Sequence, residues 1–572
     1  MSKTQWNLTT LFADESALKL ALKESENRAL SFQTLFKGNL KNLNEEEFLE
    51  AMSVYEDLLE VLGQIMTYAF LLFAKDSNNG SFYAKYQNKT TKIYESLLFF
   101  ELEFNKLSKS KQANFIQYSG KYRFYLESLK EQKNHQLSFK EERIMLKKAN
   151  SSSRAFSRLF DEHFSQMKFI FKRKKISLEE VLAHLHDPSK DVRKKAASSL
   201  TKSLKNSEHL LAYIFNMIKE DHKVDCELRG YKNPETFRHL DNKISQKSVD
   251  SLVVATEARF DLVSKYYHFK KEYLKLDKLY DYDRYAPLEE SEESFSYEES
   301  CKIVLDSFNE FSPLFGSIAK KAMDEGWIDV YPKDRKRGGA FSHPATPSTH
   351  PYVLLNHTDK RRDLFTLAHE LGHAIHQYLA KDMGYLSSDT PLTTAETASV
   401  FAEMLVFDSM INKVDKKDKT AMLASKIEDI FATLYRQINF TTFERRVHGH
   451  EGELSIEQFS KIWMEESSKM FDSSVTLTDD YKIWWSYIPH FIHSPFYCYA
   501  YSYGQLLVLA LYGLYKDGKC KDFVELYIEF LRLGGSKSPK ELVALFGFDI
   551  EDVKFWEIGL AQVERLVDSI RE

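Results

Sequence analysis

Long stretches of apolar residues at helical spacing constrain the fold of this chain more than any other feature. Apolar residues recur at i, i+3, i+4 and i+7 in the stretches 58–73 and 261–276, the period of a helix that buries one face. Glycine and proline rarely interrupt the chain, since they number 20 and 12 in 572 residues. A serine three residues before a glutamate, the spacing of a capping box, marks helix starts at Ser138, Ser177 and Ser296. We predict a mainly α fold.

The charge balance bears on which partners the chain can bind. A net charge of −5, from 79 Lys and Arg against 84 Asp and Glu, lacks the basic excess of a nucleic-acid-binding protein. The one basic cluster, at 172–175, is followed by Glu179 and Glu180, and we interpret it as a solvated turn. We therefore expect no nucleic-acid partner.

Cysteine usage and the lack of long apolar runs indicate the cellular compartment of the protein. Four widely spaced cysteines are too few to stabilise a chain of 572 residues by disulfide bonds, which favours a reducing compartment. The N-terminus has no uninterrupted apolar segment of a signal peptide, and no stretch approaches the roughly 20 apolar residues of a membrane span. We expect a cytoplasmic protein with no membrane partner.

The helical pattern is broken most strongly at residues 331–357, where Gly, Pro and Ser crowd together. The run PYVLLN at 351–356 has the composition of a short strand. A helix capped by Thr358 or Asp359 is then predicted to continue to about Ala380. The sequence thus predicts one small β element directly before, and beside, this helix.

This helix contains the run AHELGHAIHQ, whose spacing is that of a metal site. His369 and His373 lie one turn apart on one face and can reach a single Zn²⁺, while Glu370 can act as general base on a water molecule. Chance would produce about 0.05 such HExxH patterns in a chain of this composition. Gly372 costs about 1 kcal/mol of helix propensity against alanine, which predicts that another part of the chain approaches closely there.

A catalytic zinc ion needs a third protein ligand, and three residues compete for that role. His376 lies on the face of the first two ligands, but the helix would have to break for it to reach the metal, so we interpret it as a packed histidine. Glu396 and Glu403 lie two turns apart in the next predicted helix. Glu396, near the helix start among small residues, is the preferred ligand. Glu403 is either an orienting group or an ordinary solvated glutamate.

The tail segment IPHFIHSPFYCYAYSYGQ concentrates histidine and tyrosine more densely than a core would, since each buried phenol needs a partner. If this segment is helical around Pro495, then His490, His493, Tyr497 and Tyr501 share one face. Such groups can donate hydrogen bonds to the oxyanion that forms during peptide hydrolysis. An aromatic packing seam is the alternative interpretation.

Taken together, these segments resemble the oligoendopeptidase F group of the thimet-oligopeptidase family of zinc metallopeptidases. The resemblance covers nearly the whole chain and is carried by the following runs: WNLTTLF, LRGYKNPETFRHLDNKIS, LKLDKLYDYDRYAPL, GGAFSHPATPSTHPYVLLNHT, TLAHELGHAIHQ, ETASVFAEML and PHFIHSPFYCYAYSYG. The pair HELGH and ETASVFAE is the most specific part of it.

The resemblance implies roles for individual residues. One Zn²⁺ per chain is expected on His369, His373 and Glu396, with Glu370 as the catalytic base. A histidine and a tyrosine of the tail segment are implied to stabilise the transition state, and His490 and Tyr497 match best by position. The neighbouring His493 and Tyr501 are then expected to bind substrate, although the register of this segment is open between these residues, Tyr499 and Tyr503.

The resemblance also implies an architecture. A large helical metallopeptidase fold is expected, in which an N-terminal helical domain at 1–195 and a catalytic domain at 196–572 wall a deep substrate channel. Short peptides would enter this channel and folded proteins would not. The strand at 351–356 is expected to bind the peptide backbone by strand addition, with GGAF as a mobile flap.

The expected function is therefore that of a zinc-dependent endopeptidase that hydrolyses internal bonds of oligopeptides. An exopeptidase of the same chemistry is the nearest alternative. A helical peptide-binding protein without activity is a second alternative, although the metal-binding pattern is intact. Cleavage preference and oligomeric state stay open.

Overall fold

The computed structural model describes residues 4–289 and 293–571. As predicted, the fold is mainly α with small sheets. The chain divides into two compact units, each made of three segments. The first unit comprises Met1–Lys133, Glu292–Asn412 and Tyr515–Phe548, and the second comprises Asn134–Ser291, Lys413–Leu514 and Asp549–Glu572. The contiguous domains 1–195 and 196–572 stay a prediction.

The described helices are numbered along the chain. The first fourteen are α1 Glu15–Phe36, α2 Glu45–Lys75, α3 Gly80–Leu97, α4 Phe99–Lys106, α5 Lys109–Tyr118, α6 Arg123–Gln132, α7 Phe139–Lys148, α8 Ser153–Gln166, α9 Leu178–Ala183, α10 Lys190–Lys205, α11 Glu208–Arg229, α12 Thr236–Asp241, α13 Gln246–Glu257 and α14 Asp261–Tyr273. They are followed by α15 Tyr297–Phe311, α16 Pro313–Asp324, α17 Arg361–Ala380, α18 Leu392–Ala395, α19 Thr397–Ile411, α20 Lys416–Thr433, α21 Tyr435–His448, α22 Ile456–Phe471, α23 His490–His493, α24 Tyr499–Lys516, α25 Phe523–Arg532, α26 Pro539–Ala544 and α27 Val553–Ser569. The strands are β1 Phe169–Phe171, β2 Lys174–Ile176, β3 Ile328–Asp329, β4 Phe341–His343 and β5 Tyr352–Leu354.

Helix α2 forms the centre of the N-terminal core of the first unit. It begins with a capping box, in which the side chains of Asn44 and Glu47 each accept the backbone N–H of the other residue at 2.8–2.9 Å. Helices α1 and α3 pack along it. Among the described residues α2 alone is long and apolar enough to cross a membrane, although the sequence was expected to contain no such stretch. Half of its most apolar window is buried in the protein, as in the core helix of a globular protein.

A three-stranded sheet precedes and packs against α17, which confirms the predicted β element. Its order is β3-β5-β4, with β5 parallel to β3 and antiparallel to β4. Strand β5 is buried at every residue, and its Val353 carbonyl also accepts the indole N–H of Trp6 at 2.7 Å. Because both edges of β5 are paired, the expected strand addition at 351–356 cannot occur on this strand. Within the described part of the sheet, β4 is the strand next to α17 that has only one partner.

The tail segment belongs to the second unit, whose core is rich in aromatic side chains. Phe215 of α11 stacks on Phe459 and Phe491 at centroid distances of 5.1 and 5.6 Å. Lys172 and Arg173 of the basic cluster form the exposed turn of the β1–β2 hairpin, as predicted, with φ angles of 46° and 66°, whereas Lys174 and Lys175 belong to β2. These packed layers fix the backbone from which α23 and α24 present the tail segment.

Candidate metal centre

Helix α17 presents the HExxH run in a regular and largely buried helix. It runs unbroken from Arg361 to Ala380, as expected, but its start differs from the prediction. Thr358 and Asp359 are not the cap residue. The Asp363 carboxylate instead accepts hydrogen bonds from the Thr358 N–H at 2.7 Å and from the Lys360 N–H at 3.2 Å. An acceptor inside the first turn thus satisfies the N–H of the cap residue Lys360 and ties the preceding Thr358 to the helix start.

Three side chains from α17 and the start of α19 come together as potential metal ligands. The Oε2 atom of Glu396 lies 3.4 Å from Nε2 of His369 and 3.4 Å from Nε2 of His373. One donor atom from each of the three residues lies within 4.8 Å of the others. Donors that bind a tetrahedral zinc ion at about 2.0–2.1 Å are separated by about 3.4 Å. The donor types and spacing therefore fit zinc.

The close approach of α19 to α17 is made possible by Gly372, as the sequence predicted. A Cβ atom at this position would lie 2.5 Å from the Ala398 carbonyl oxygen and 2.6 Å from the Cα of Ser399. Real Cβ atoms do not approach backbone atoms so closely, so only glycine fits here without moving α19. Since Glu396 directly precedes α19, this contact sets the distance between the carboxylate and the two histidines.

Two further side chains orient the ligands. The Glu403 carboxylate lies 2.6 Å from Nδ1 of His369, which leaves Nε2 of that ring directed at Glu396. The Ser399 hydroxyl donates to Oε2 of Glu396 at 2.7 Å. Of the two interpretations that the sequence left open for Glu403, the geometry favours the orienting group. Such carboxylate–histidine pairs fix the tautomer and the ring orientation of a metal-binding histidine.

The charges of these residues favour a cation. Burial would lower the pKa of His369, but the hydrogen bond and charge of Glu403 and the charges of Glu396 and Glu370 raise it to about 9. Partial burial would raise the pKa of Glu396, but the hydrogen bond and charge of His373, the charge of His369 and the Ser399 hydroxyl lower it to about 2. Three carboxylates around two imidazoles leave a negative site that a divalent cation can neutralise.

Glu370 is adjacent to the three donors but is not part of their set. The residue is only 6% exposed, and burial raises the pKa of its carboxyl group although His369 and His373 counteract this. A carboxylate with a raised pKa is a better proton acceptor than an ordinary surface glutamate.

His376 lies outside the donor group, in the continuous part of α17. It is buried, and its Nε2 atom has no hydrogen-bond partner within the part of the chain that the structure describes. Burial lowers its pKa to about 3, so the ring is neutral. This placement agrees with the interpretation of His376 as a packed histidine.

The tail segment is not one helix. Its four polar residues were predicted to share a face only if the segment was helical around Pro495, so this grouping does not apply. Helix α23 ends at His493, and α24 begins at Tyr499. Between them Pro495 lacks an N–H, and Phe496 adopts a φ of 57°, so the helix cannot continue. The turn, and not helical spacing, decides which side chains of the segment meet.

His490, which precedes this turn, forms one cluster with Tyr497 and Tyr501, which follow it. Nε2 of His490 lies 3.2 Å from the Tyr501 hydroxyl, and the rings of Tyr497 and Tyr501 are 5.0 Å apart. His493 points elsewhere, with its Nε2 2.8 Å from the Asp161 carboxylate on α8. The structure thus brings together three of the four predicted residues. The metal-site residues and this cluster belong to different units.

The other two tyrosines of the open register are buried and have partners of their own. The Tyr499 hydroxyl lies 2.9 Å from Nδ1 of His239 and accepts the side-chain N–H of Asn242 at 3.0 Å. Tyr503 donates to the Ser248 hydroxyl. Neither hydroxyl belongs to the cluster around His490.

Glu444 was missed by the sequence analysis and holds the turn of the tail segment. This fully buried residue of α21 accepts the backbone N–H of Phe496 at 2.8 Å. Its other oxygen has no partner among the described residues. Burial raises the pKa of Glu444 to about 8, with Glu235 adding to the effect and the Phe496 N–H opposing it. No local pattern marks Glu444, since it lies 52 residues before the turn.

Glu444→Gln is expected to make the stability less dependent on pH between about 5 and 8. The pKa of about 8 lies above the ordinary glutamate value of about 4.3, so in this window the folded state binds more protons than the unfolded state. Wild type therefore loses stability as the pH rises through this window, by at most about 5 kcal/mol at about 1.4 kcal/mol per pKa unit. Glutamine keeps the acceptor for Phe496 and cannot ionise.

Thermal unfolding midpoints at pH 5, 6.5 and 8 check this prediction. The midpoint of Glu444→Gln relative to wild type should increase with pH, whereas the exposed Glu220→Gln in the same unit should show a constant difference. A pH-independent difference for Glu444→Gln would contradict the burial of an ionisable carboxyl group at this position.

The candidate site has the features of an HExxH metallopeptidase on a helical scaffold. They are a histidine pair one turn apart, a glutamate just before the adjoining helix as the third potential ligand, and a further glutamate beside the first histidine. Residues 183–562 match the model of Peptidase family M3, and residues 103–169 match the model described as Oligopeptidase F. The chain belongs to peptidase family M3 and is a metallopeptidase.

Similar proteins agree with this assignment. Oligopeptidase PepF of Bacillus subtilis is 27% identical over 99% of this chain and 87% of that protein. An oligoendopeptidase F homologue of Borreliella burgdorferi is 28% identical over 96% of this chain and 94% of its own length.

Two solved structures share the fold. A protein from Chlamydophila abortus has a TM-score of 0.90 at 24% identity and covers all of this chain and 98% of its own. Oligoendopeptidase F from Enterococcus faecium has a TM-score of 0.70 at 21% identity, over 97% of this chain and 96% of its own. At these identities the structures show the fold alone.

Proposed function

We propose that this metallopeptidase is a zinc-dependent endopeptidase that hydrolyses internal peptide bonds of short oligopeptides. The observation that carries the proposal is the 3.4 Å spacing of Glu396 from both His369 and His373, with Glu370 next to the first ligand. The endopeptidase activity is supported by the names of similar proteins, several of which are oligoendopeptidases F.

His369, His373 and Glu396 would hold one Zn²⁺ per chain. A bound zinc ion supplies a Lewis acid that polarises the scissile carbonyl and acidifies a water molecule. Glu403 would keep His369 in the tautomer whose Nε2 is available to the ion, and the Ser399 hydroxyl, which donates to Glu396, would hold that carboxylate in place.

Glu370 acts as the general base. Its carboxylate accepts a proton from the attacking water and then donates this proton to the nitrogen of the leaving amine. The raised pKa supports both steps, because a carboxyl group with a pKa nearer to neutrality accepts a proton more readily and can also release it.

His490 and Tyr497 are proposed to stabilise the oxyanion of the transition state, since imidazole N–H and phenol O–H groups can donate to it. Tyr501, which contacts His490 and is 39% exposed, is proposed to bind substrate. His493 keeps its predicted role in substrate binding, through a surface that it shares with Asp161.

The proposal also covers how the enzyme selects its substrates and where in the cell it is located. The outer edge of β4 is the place where a peptide backbone could add to the sheet beside α17, in place of β5. The family resemblance and the similarity to bacterial oligopeptidases support the remaining parts of the proposal. These parts are the deep channel, the exclusion of folded proteins, the division into domains 1–195 and 196–572, and the cytoplasmic location.

A peptide blocked at both termini tests the proposal. An acetylated and amidated decapeptide should be cleaved at an internal bond, a chelator should abolish the cleavage, and zinc should restore it. If the enzyme cleaves only the unblocked peptide, and only by releasing terminal residues, it is an exopeptidase.

A further inference from the structure

Residues 4–12 form a segment, the edge segment, that lies along the sheet beside α17 in the first unit. The Val330 N–H donates to the Thr4 carbonyl at 3.2 Å, and the Asn7 N–H donates to the Gly326 carbonyl at 2.9 Å. Because the order of the bonded residues is reversed between the two chains, the edge segment runs antiparallel to β3. It therefore pairs with β3 as an additional strand would.

The edge segment covers the side of β3 that faces away from β5. The carbonyl of Trp327 accepts the Val353 N–H of β5 at 2.8 Å, and the carbonyl of Asp329 accepts the Leu355 N–H at 2.8 Å. Successive residues of a strand direct their backbone groups to opposite sides, so the residues bonded to the edge segment face the other way. The outer side of β3 is thus occupied.

Gly326 makes this close approach possible. Its φ of 77° lies in the left-handed region, which favours glycine. A Cβ atom at this position would lie 3.2 Å from the Gln5 carbonyl oxygen and 3.3 Å from the Cβ of Asn7. A side chain here would therefore push the edge segment away from β3.

Trp6 connects the edge segment to the two strands beyond β3. The residue is 6% exposed, and its indole N–H donates to the Val353 carbonyl of β5 at 2.7 Å. Its ring lies edge-on to Tyr352 of β5 and tilted against Phe341 of β4, with a centroid distance of 6.2 Å in both pairs. A buried tryptophan with a bonded N–H fixes the groups around it in position and direction.

Strand β4 depends on side-chain contacts, because it has one strand partner among the described residues. The Ser342 hydroxyl donates to the side-chain oxygen of Gln377 at 2.7 Å, and the Gln377 side-chain N–H donates to the Ser342 carbonyl at 3.2 Å. Phe70 of α2 lies 5.5 Å from Phe341. Gln377 follows His373 by one turn of α17, so the sheet and the candidate metal donors share one helix.

A peptide can add to a sheet only at an edge whose backbone groups are free. The outer strands of this sheet are β3 and β4. Since the edge segment occupies the outer side of β3, the outer side of β4 is the edge that stays open within the described part of the chain. Trp6 also packs on Phe341 of β4, so the same segment closes one edge and supports the other.

We infer that the edge segment, through Trp6, positions β4 to bind the backbone of the peptide substrate. This inference rests on the proposed function and deepens it, because it adds a positioning residue to the proposed site of strand addition. Trp6 would affect the binding of the substrate and not the proton transfers, which the proposed function assigns to Glu370.

The test measures KM and kcat for the blocked decapeptide in wild type, Trp6→Phe and Trp6→Ala. Phenylalanine keeps a ring against Tyr352 and Phe341 but lacks the N–H, whereas alanine lacks both. KM should rise by about 3-fold in Trp6→Phe and by about 10-fold in Trp6→Ala, the equivalent of about one hydrogen bond between β4 and the peptide. The zinc content should be unchanged, and kcat should stay within about twofold of wild type because the base and the metal donors are untouched.

The separation of KM from kcat distinguishes positioning from a purely structural role. A role in stability alone would lower the concentration of folded enzyme, and so the apparent kcat, while KM stayed the same. That outcome would overturn the inference.

A glycine substitution tests the edge segment without changing Trp6. Gly326→Ala should raise KM as Trp6→Phe does, because it displaces the edge segment from β3. The matched control is Gly80→Ala in the same unit, where a Cβ atom would make an ordinary contact 3.5 Å from Phe73, and it should keep the wild-type KM. If Trp6→Ala does not fold, Trp6→Phe and Gly326→Ala carry the test. An unchanged KM in both would overturn the inference.

Hydrogen exchange without substrate distinguishes failure of this inference from failure of the proposed function. The amides of β4 should exchange at least about 5-fold faster in Trp6→Phe and Gly326→Ala than in wild type, while those of α17 keep their protection. Equal protection of β4 would overturn the inference even if the enzyme proves to be an endopeptidase. If the enzyme instead releases only terminal residues, the rise in KM should appear with the unblocked peptide, and the inference would stand.

Discussion

Glu370→Gln is expected to lower kcat for peptide hydrolysis by about 10²–10⁴-fold while the protein keeps one zinc ion per chain. Glutamine has the size and shape of glutamate but cannot accept a proton, so it removes the base and leaves the three metal donors unchanged. The removal of a buried carboxyl group next to two others is not expected to destabilise the site, because burial raises the pKa of Glu370 and its ionised form is costly.

Steady-state kinetics together with metal analysis check this prediction. Glu310→Gln, at an exposed position of α15 in the same unit, serves as the matched control and should keep wild-type kcat. Turnover within about threefold of wild type in zinc-loaded Glu370→Gln would mean that another group takes the proton. Loss of zinc from this variant would instead place Glu370 among the ligands.

Glu396→Gln and Glu403→Gln should weaken zinc binding to different extents. Glu396 contributes a donor atom 3.4 Å from both histidines, so its replacement should remove most of the zinc and reduce hydrolysis to background. Glu403 acts through Nδ1 of His369, and loss of such a partner lowers metal affinity by about 10–100-fold. Excess zinc should therefore restore activity in Glu403→Gln and not in Glu396→Gln.

Competition with a chelator of known affinity gives both zinc dissociation constants. Glu396→Asp is a useful third variant, because it keeps the charge but shortens the side chain by one methylene group, and it should bind zinc more weakly than wild type. If Glu403→Gln lost more affinity than Glu396→Gln, the two carboxylates would have exchanged roles, and Glu403 would be the ligand.

The grouping of the candidate metal donors could be predicted from the sequence because these residues lie close together along the chain. His369, Glu370 and His373 occupy adjacent positions of one helix, where a spacing of four residues by itself places two side chains on one face. Gly372 could be interpreted correctly because a glycine in a helix interior is costly unless something approaches it.

The tail segment and the strand at 351–356 were less predictable. Helical spacing grouped four residues, whereas the left-handed Phe496, held by Glu444, brings Tyr497 and Tyr501 to His490 and leaves His493 with Asp161. The strand itself was predicted correctly. Its central place in the sheet was not, because its partners β3 and β4 are determined by long-range pairing.

The sequence by itself determined the helical fold, the family and the two histidines and glutamate of the HExxH helix, because these depend on periodicity and on contacts within one helix. Only the tertiary structure decided how α19 brings Glu396 and Glu403 to opposite nitrogens of His369. It also decided that Glu444 holds the left-handed turn at Phe496. Both depend on distances between residues far apart in the chain, which the packing of helices sets and the local pattern of residues does not contain.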